Sequence, residues 1–143
     1  MTSLGDDIRA NGIMLSRDER TLYVTNGRSI LALDIRPDGL VENRRSFGIV
    51  SGGPEVRADG LAIDERGRLY AASQLGIHVF SPTGDHLGLI PVPRPTTSVA
   101  FAGPDKKTLY ATARGAEGAG DQQNARSMYR IAMLASGFKG RAK

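Results

Sequence analysis

The chain has 143 residues, a formal net charge of +4 and no cysteine, which excludes disulfides, thiolate metal sites and a cysteine nucleophile. No apolar run has the length of a signal-peptide core or a membrane span, so we expect a cytoplasmic protein without membrane contacts. Lysine and arginine are scattered through predicted turns and only 6% of the residues are aromatic, so the basic charge predicts no nucleic-acid partner.

The first predicted unit covers residues 11–50. Short apolar runs separated by glycine, proline and charged residues predict four strands, at residues 12–15, 22–25, 29–35 and 45–49. Pro37 and Gly39 mark a turn between the last two strands, because proline presets φ and glycine accepts a positive φ. Strands this short and this often interrupted leave little room for a helix.

The second and third predicted units cover residues 51–95 and 96–134. The second contains strands at residues 60–63, 69–72, 77–81 and 87–91, and the third contains strands at residues 98–102, 109–112 and 128–131. The loop 115–126 is long, polar and rich in glycine, which is typical of a functional or mobile loop. We expect residues 135–143 to form a tail outside these units.

A Leu-Tyr pair recurs in the second strand of each unit, with Tyr23, Tyr70 and Tyr110 lying 47 and 40 residues apart. Repeats of roughly 40–50 residues made of short strands predict β-propeller blades. Because closed propellers usually have 4–8 blades, we predict an all-β fold with about three blades of a partial ring. The three tyrosines are expected to pack between blades.

Two dipeptides, Asn11-Gly12 and Asp59-Gly60, occupy the same place in the repeat, at the start of the innermost strand of a blade. Either dipeptide alone is typical of a turn. The repeat instead favours side chains that point into one central channel, and the following glycine permits close approach of a strand or a substrate. Amide and carboxylate oxygens select hard ions such as calcium, magnesium or manganese. Thr97 occupies the equivalent place in the third unit, where we expect it to cap or pack.

The other polar residues predict no second catalytic site. We expect Asp64 and Asp105 to cap turns, His78 to lie on the surface or between blades, and His86 to be solvated. The sequence has no phosphate-binding glycine loop, His-Glu-x-x-His helix or EF-hand loop, and nothing supports a Ser-His-Asp triad.

The segments 10–13 (ANGI), 22–24 (LYV), 42–45 (ENRR), 58–64 (ADGLAID) and 103–110 (GPDKKTLY) together resemble the gluconolactonase, regucalcin and senescence-marker-protein family. The resemblance extends over nearly the whole chain and corresponds to the C-terminal half of that family's ring. It implies a six-bladed propeller of the lactonase type with one divalent ion in its channel, calcium first, with magnesium, manganese or zinc as alternatives. It also implies metal-dependent hydrolysis of small-molecule sugar lactones or related carboxylic esters.

The same resemblance implies roles for two residues. The family holds its ion with side-chain oxygens of a glutamate, two asparagines and an aspartate, and Asn11 falls on the later asparagine and Asp59 on the aspartate. Asp59 is then also the general base, or the residue that positions the attacking water. The other two ligands would lie upstream of Met1, so this chain carries part of the metal site. The family favours proline where this chain has Ala10 and Ala58.

Three readings stay open. In the first reading the chain is a fragment or a shortened lactonase that carries part of the site. Calcium takes roughly 6–8 oxygens, so the two side chains predict weak binding, and the activity of the chain alone stays open. Alternatively, it is a non-catalytic β-propeller repeat module that binds a small ligand or a protein partner. In the third reading it is a sugar- or ion-binding protein that keeps the channel and does no chemistry. A further hypothesis, attached to the first reading, is that two chains pair as a homodimer that completes a six-bladed ring and brings two copies of Asn11 and Asp59 to one channel.

Overall fold

The computed structural model describes residues 7–115 and 126–140, which form eleven β-strands and no helix. The strands are β1 (Ala10–Leu15), β2 (Thr21–Asn26), β3 (Ser29–Ile35), β4 (Val41–Ile49), β5 (Ala58–Ile63), β6 (Leu69–Ser73), β7 (Gly76–Phe80), β8 (His86–Pro91), β9 (Thr96–Ala102), β10 (Thr108–Arg114) and β11 (Arg126–Ala132). Every predicted strand is present, with ends that differ by a few residues. The interior of the loop 115–126 lies outside the described residues. Within the described ranges, no helix is long and apolar enough to cross a membrane.

The strands form three antiparallel sheets, and strands adjacent in the chain are adjacent in each sheet. The first sheet is β1-β2-β3-β4, the second is β5-β6-β7-β8, and the third is β9-β10-β11. β4 begins at Val41, earlier than predicted, because the preceding turn is tight: Gly39 N–H donates to the Arg36 carbonyl at 2.9 Å and Val41 pairs at once with Ile35. The three-sheet, all-β arrangement confirms the predicted fold class.

Two apolar clusters join the sheets, one on each side of the second sheet. The first cluster brings Tyr23 of the first sheet together with Leu69 of the second, and the second brings Tyr70 together with Leu109 of the third. Both leucines are fully buried, and Tyr23 and Tyr70 are 8% and 2% exposed. These two tyrosines therefore pack between sheets as predicted, whereas Tyr110 is only partly buried and belongs to neither cluster of the described residues.

Residues 135–140, predicted to be part of a tail, contact the second sheet. Glu65 N–H donates to the Ser136 carbonyl at 2.9 Å, and Phe138 N–H donates to the Ile63 carbonyl at 3.2 Å. The Phe138 ring packs against the first cluster, with the Arg17 guanidinium 5.6 Å from its centroid. This segment is held because it carries an aromatic side chain to bury and backbone groups that find partners.

Candidate functional site

The innermost strands of the three sheets run side by side with almost no space between their backbones. A Cβ atom built on Gly12 would collide with the carbonyl oxygen of Asp59. A Cβ on Gly60 would lie 2.8 Å from the Cα and 2.7 Å from the Oγ of Ser98. Glycine is required at both places because any side chain would push β1, β5 and β9 apart. The glycine after each predicted ligand thus admits a neighbouring strand.

A cavity of about 300 Å³ lies where these three strands begin. Its lining residues are Asn11, Gly12, Ile13, Asp59, Gly60, Leu61, Thr97 and Ser98. The fold therefore brings together the three residues that the repeat placed at equivalent positions, and Asp59 is the one ionisable side chain among the lining residues. A larger cleft of about 800 Å³ lies between β8 and residues 132–136, and none of the predicted site residues lines it.

Irregular strand pairing positions the two predicted ligands. The β1–β2 register shifts between Ala10 and Ile13, and the β5–β6 register shifts between Ala58 and Leu61. Asn11 and Asp59 therefore each sit in a β-bulge, a device that redirects a side chain at the end of a ladder. Thr25, fully buried, fixes the first bulge by accepting the Gly12 N–H at 2.6 Å through its hydroxyl.

The groups around Asp59 offset only part of the cost of burying its negative charge. Burial raises the pKa of the Asp59 carboxyl, while the charge of Arg114, the Gly60 N–H and a hydrogen bond from the Asn11 side chain lower it. Because burial is the largest of these influences, the carboxylate is under-compensated in the described part of the chain. A bound cation at this place would relieve that cost.

The Thr97 hydroxyl is engaged with its own sheet. Thr97 Oγ1 lies 3.0 Å from Thr112 Oγ1 and 3.3 Å from the Thr112 carbonyl oxygen. This arrangement is the packing role expected for Thr97, although the residue lines the cavity.

The donor set suits part of a site for a hard cation. Asn11 offers an amide oxygen and Asp59 offers carboxylate oxygens, the ligands that calcium and magnesium prefer. Among residues 7–115 and 126–140, no three His, Cys, Asp or Glu side chains lie close enough to hold a metal ion together. These residues therefore fit an oxygen-ligated ion, with further ligands to come from backbone, water or another segment. Their role as ligands stays a prediction.

Arg114 is a site residue that sequence reasoning missed. It ends β10, and Ala113 next to it pairs with Thr96 at the start of β9, so Arg114 lies at the same end of the sheets as Asp59. Its charge is the strongest influence that lowers the pKa of Asp59. The signal in the sequence was the expected antiparallel pairing of the strands that became β9 and β10, because such pairing brings the end of β10 beside the start of β9.

His78 is fully buried, so the surface alternative for this residue is wrong. Its ring lies on the Phe80 side of β7, with Nε2 3.1 Å from Ser73 Oγ and Nδ1 3.0 Å from Nε2 of His86. Burial first, and the His86 charge second, lower the pKa of His78 to about 4. Both ring nitrogens have partners, so His78 is a neutral structural residue rather than a base for the cavity.

Comparison with known proteins supplies the family. Residues 3–115 match the family described as the SMP-30/Gluconolactonase/LRE-like region. A gluconolactonase of Zymomonas mobilis is 37% identical over 91 residues, which are 57% of this chain and 26% of that protein. The pentonolactonase XacC of Haloferax volcanii is 32% identical over 116 residues, which are 77% of this chain and 40% of that protein.

A solved structure shows the same fold. The calcium-binding protein regucalcin of Agrobacterium tumefaciens superimposes with a TM-score of 0.78 over 95% of this chain and 50% of its own, at 24% identity. This chain thus spans between about a quarter and two fifths of the length of the two curated relatives, and about half of the solved chain.

Proposed function

The chain belongs to the SMP-30/gluconolactonase/LRE-like family, and from that membership we propose that it takes part in hydrolysing a sugar lactone or a related ester. The observation that carries the proposal is the convergence of Asn11 and Asp59 on one cavity at the inner edge of the three sheets. The reaction adds water across the ester C–O bond: the acyl carbon gains a hydroxyl and the ring oxygen gains a proton. The product is a hydroxy acid, which is fully ionised at neutral pH and therefore releases a proton.

Asp59 is the candidate general base. Its carboxylate would take a proton from the water that attacks the lactone carbonyl, and that proton would then pass to the departing ring oxygen. A pKa raised by burial suits this role, because a base is most effective when its pKa approaches the working pH. The Asn11 side chain, hydrogen-bonded to the carboxylate, would fix its orientation.

The family also implies a divalent ion, and Asn11 and Asp59 are the residues of this chain that would hold it. When bound, the ion supplies polarisation of the lactone carbonyl. Calcium is the first candidate, because both residues offer hard oxygen ligands and a solved relative of this fold is a calcium-binding protein. Two side chains supply few of the roughly 6–8 oxygens that calcium takes, so one chain alone should bind it weakly.

The test is the release of acid from glucono-1,5-lactone in a lightly buffered indicator solution, corrected for spontaneous ring opening. We expect a rate above the spontaneous one that depends on added calcium, magnesium, manganese or zinc and disappears with a chelator. Asp59→Asn should lower that rate by at least about 100-fold, the usual contribution of a general base. Asp105→Asn, which changes an exposed turn residue, is the matched control and should keep it.

Two results would count against the proposal. A chain that shows no hydrolysis with any of the four ions is not a lactonase by itself. If calorimetry nevertheless detected binding of an ion or a lactone that Asp59→Asn abolishes, the non-catalytic binding module would be the better description.

A further inference from the structure

The two contacts between neighbouring sheets of this chain are formed by the same pair of faces. Neighbouring residues of a strand point to opposite faces, so each Leu-Tyr pair places its leucine on one face and its tyrosine on the other. Tyr23 shares a cluster with Leu69 of the next sheet, and Tyr70 shares a cluster with Leu109 of the sheet after that. Each sheet therefore presents its tyrosine face to the following sheet and its leucine face to the preceding one.

The first sheet has a leucine face that belongs to neither apolar cluster. Register places six apolar side chains on this side of β1, β2 and β3: Ile13, Leu15, Leu22, Val24, Leu31 and Leu33. The two central residues, Val24 and Leu33, are buried, while Ile13 at the inner edge is 61% exposed. Ser46 of β4 and the pair Asn26 and Ser29 border these apolar side chains on the same face. An apolar patch that extends over three adjacent strands is typical of a contact surface, because the solvent side of an antiparallel sheet is normally polar.

The third sheet has the corresponding tyrosine face. Tyr110 lies opposite Ala100 on one side and Arg130 on the other, and Thr112 lies between Ser98 and Met128. Met128 is 71% exposed and Tyr110 is partly exposed, in contrast to the buried Tyr23 and Tyr70. On the β9 side of Tyr110 the residues are small, Ala100 and Ser98, as Ala62 and Ala72 are in the second cluster around Tyr70. On the β11 side, the face carries the longer side chains of Arg130 and Met128.

We propose that a second copy of this chain covers both faces. The tyrosine face of each copy packs on the leucine face of the other, so that two copies close a ring of six sheets. A leucine face and a tyrosine face pack together twice within the chain, so another copy offers each face a partner of the kind it meets there. The family resemblance implies a six-bladed ring and this chain matches half of a solved relative, so three sheets would turn through half a circle and a two-fold axis would close the ring.

The pairing completes the candidate site, and this part of the inference rests on the proposed function. The two-fold axis would run along the channel between the innermost strands. Each copy would then contribute its Asn11 and Asp59, which gives four oxygen-bearing side chains around one axis. The partner copy thus supplies two of these four side chains, and backbone or water would complete the roughly 6–8 oxygens that calcium takes.

The first measurement is the mass of the purified chain by light scattering after size exclusion, across a range of concentrations. We expect twice the 15.3 kDa of a single chain. Leu22→Glu and Tyr110→Lys should each yield monomers, because each places a charge in both contacts of the ring. Met128→Glu, at an exposed position, is a further variant that tests the tyrosine face with little risk to folding. Leu87→Glu, an exposed leucine on β8 outside both faces, is the control and should stay dimeric.

Mixing the variants distinguishes this arrangement from any other dimer. In an equimolar mixture of Leu22→Glu and Tyr110→Lys, one contact of the ring has two unmodified faces and the other sets a glutamate against a lysine. The mixture should therefore recover the dimer, with circular dichroism confirming that each variant is folded. A dimer made by two leucine faces would break with Leu22→Glu, survive Tyr110→Lys and gain nothing from mixing.

Each outcome decides the proposal. A monomeric unmodified chain at all concentrations overturns it, as does a dimer that the substitutions on the two faces leave intact. A dimer without hydrolysis would remove only the proposed function, and a hydrolytically active monomer would remove only the ring. If Leu22→Glu or Tyr110→Lys failed to fold, the mass of the unmodified chain and of Met128→Glu would still give the answer.

Discussion

The backbone of Gly12 passes against the carbonyl oxygen of Asp59, so closely that a Cβ atom on Gly12 would collide with it and lie 2.9 Å from the Cα of Gly60. The contact joins the innermost strands of two sheets at the point where the candidate ligands Asn11 and Asp59 lie. Packing of the ring and geometry of the site therefore depend on the same glycine.

Gly12→Ala should destabilise the protein by about 1–3 kcal/mol, the usual cost of overpacking a close contact. The measurement is the urea unfolding midpoint. Gly39→Asn is the matched control, because Gly39 has a φ of 81°, which asparagine tolerates, and nothing lies within 4 Å of a Cβ placed there. Equal midpoints for Gly12→Ala and the unmodified chain would show that β1 and β5 separate without cost.

Asp59→Asn should stabilise the protein at pH 7 when divalent ions are removed by a chelator. Burial raises the pKa of Asp59, so the folded state holds its proton more tightly than the unfolded chain does. Stability is then lost as the pH rises from about 3.9, the unfolded value, through the folded pKa. Thermal unfolding between pH 4 and pH 8 should show a higher midpoint temperature for the variant than for the unmodified chain, and this difference should widen with pH. A difference in midpoint temperature that does not change with pH would contradict this account.

Arg114→Gln should raise the pKa of Asp59 further, because it removes the charge that lowers it most. The measurement is a titration of the Asp59 carboxyl carbon by NMR. Arg57→Gln serves as the control, since the Arg57 guanidinium lies 3.7 Å from Glu55 and is not among the groups that shift the pKa of Asp59. An unchanged Asp59 pKa in Arg114→Gln would place this arginine outside the site.

The buried His78 should make the protein sensitive to acid. Its pKa is lowered to about 4, so between pH 6.5 and pH 4 the unfolded chain binds a proton that the folded one refuses, and stability falls as the pH falls. The loss between pH 7 and pH 5 should reach about 2 kcal/mol. Urea unfolding in an Asp59→Asn background isolates this effect, and adding His78→Gln should flatten the profile. A profile that stays steep would assign the sensitivity to another group.

Asp64 should be the most costly turn residue to replace. Its carboxylate, 1% exposed, accepts hydrogen bonds from Arg66 N–H and Arg68 N–H at 2.9 Å each, Arg68 Nε at 2.6 Å and the Tyr70 hydroxyl at 3.1 Å. Asp64→Ala should cost about 3 kcal/mol, since it leaves buried donors unpaired. Asp105→Ala removes the equivalent exposed turn carboxylate, which accepts from Lys107 N–H at 3.0 Å, and should cost well under half as much. Similar costs would show that burial of Asp64 adds nothing.

The sequence by itself determined the strands and their repetition. Apolar runs of four to seven residues punctuated by glycine, proline and charged turns are a local signal, so all eleven strands could be located without knowing their neighbours. The Leu-Tyr repeat then gave the blade arrangement, and the position of Asn11 and Asp59 within the repeat placed both at the inner strand of a blade. Turn-capping by Asp64 and Asp105 was also predictable, because an aspartate caps the backbone within a few residues of itself.

Only the tertiary structure decided which side chains are buried and which meet across sheets. A propeller blade buries both of its faces, so alternation along β7 does not tell whether His78 is exposed. The convergence of Arg114 with Asp59 and the docking of Phe138 on the first cluster join residues 55 and more positions apart in the chain, which no local pattern encodes. The same holds for the leucine face of the first sheet and the tyrosine face of the third: the sequence supplies their residues, but only the order of the sheets in space shows that neither face packs against another sheet among the described residues.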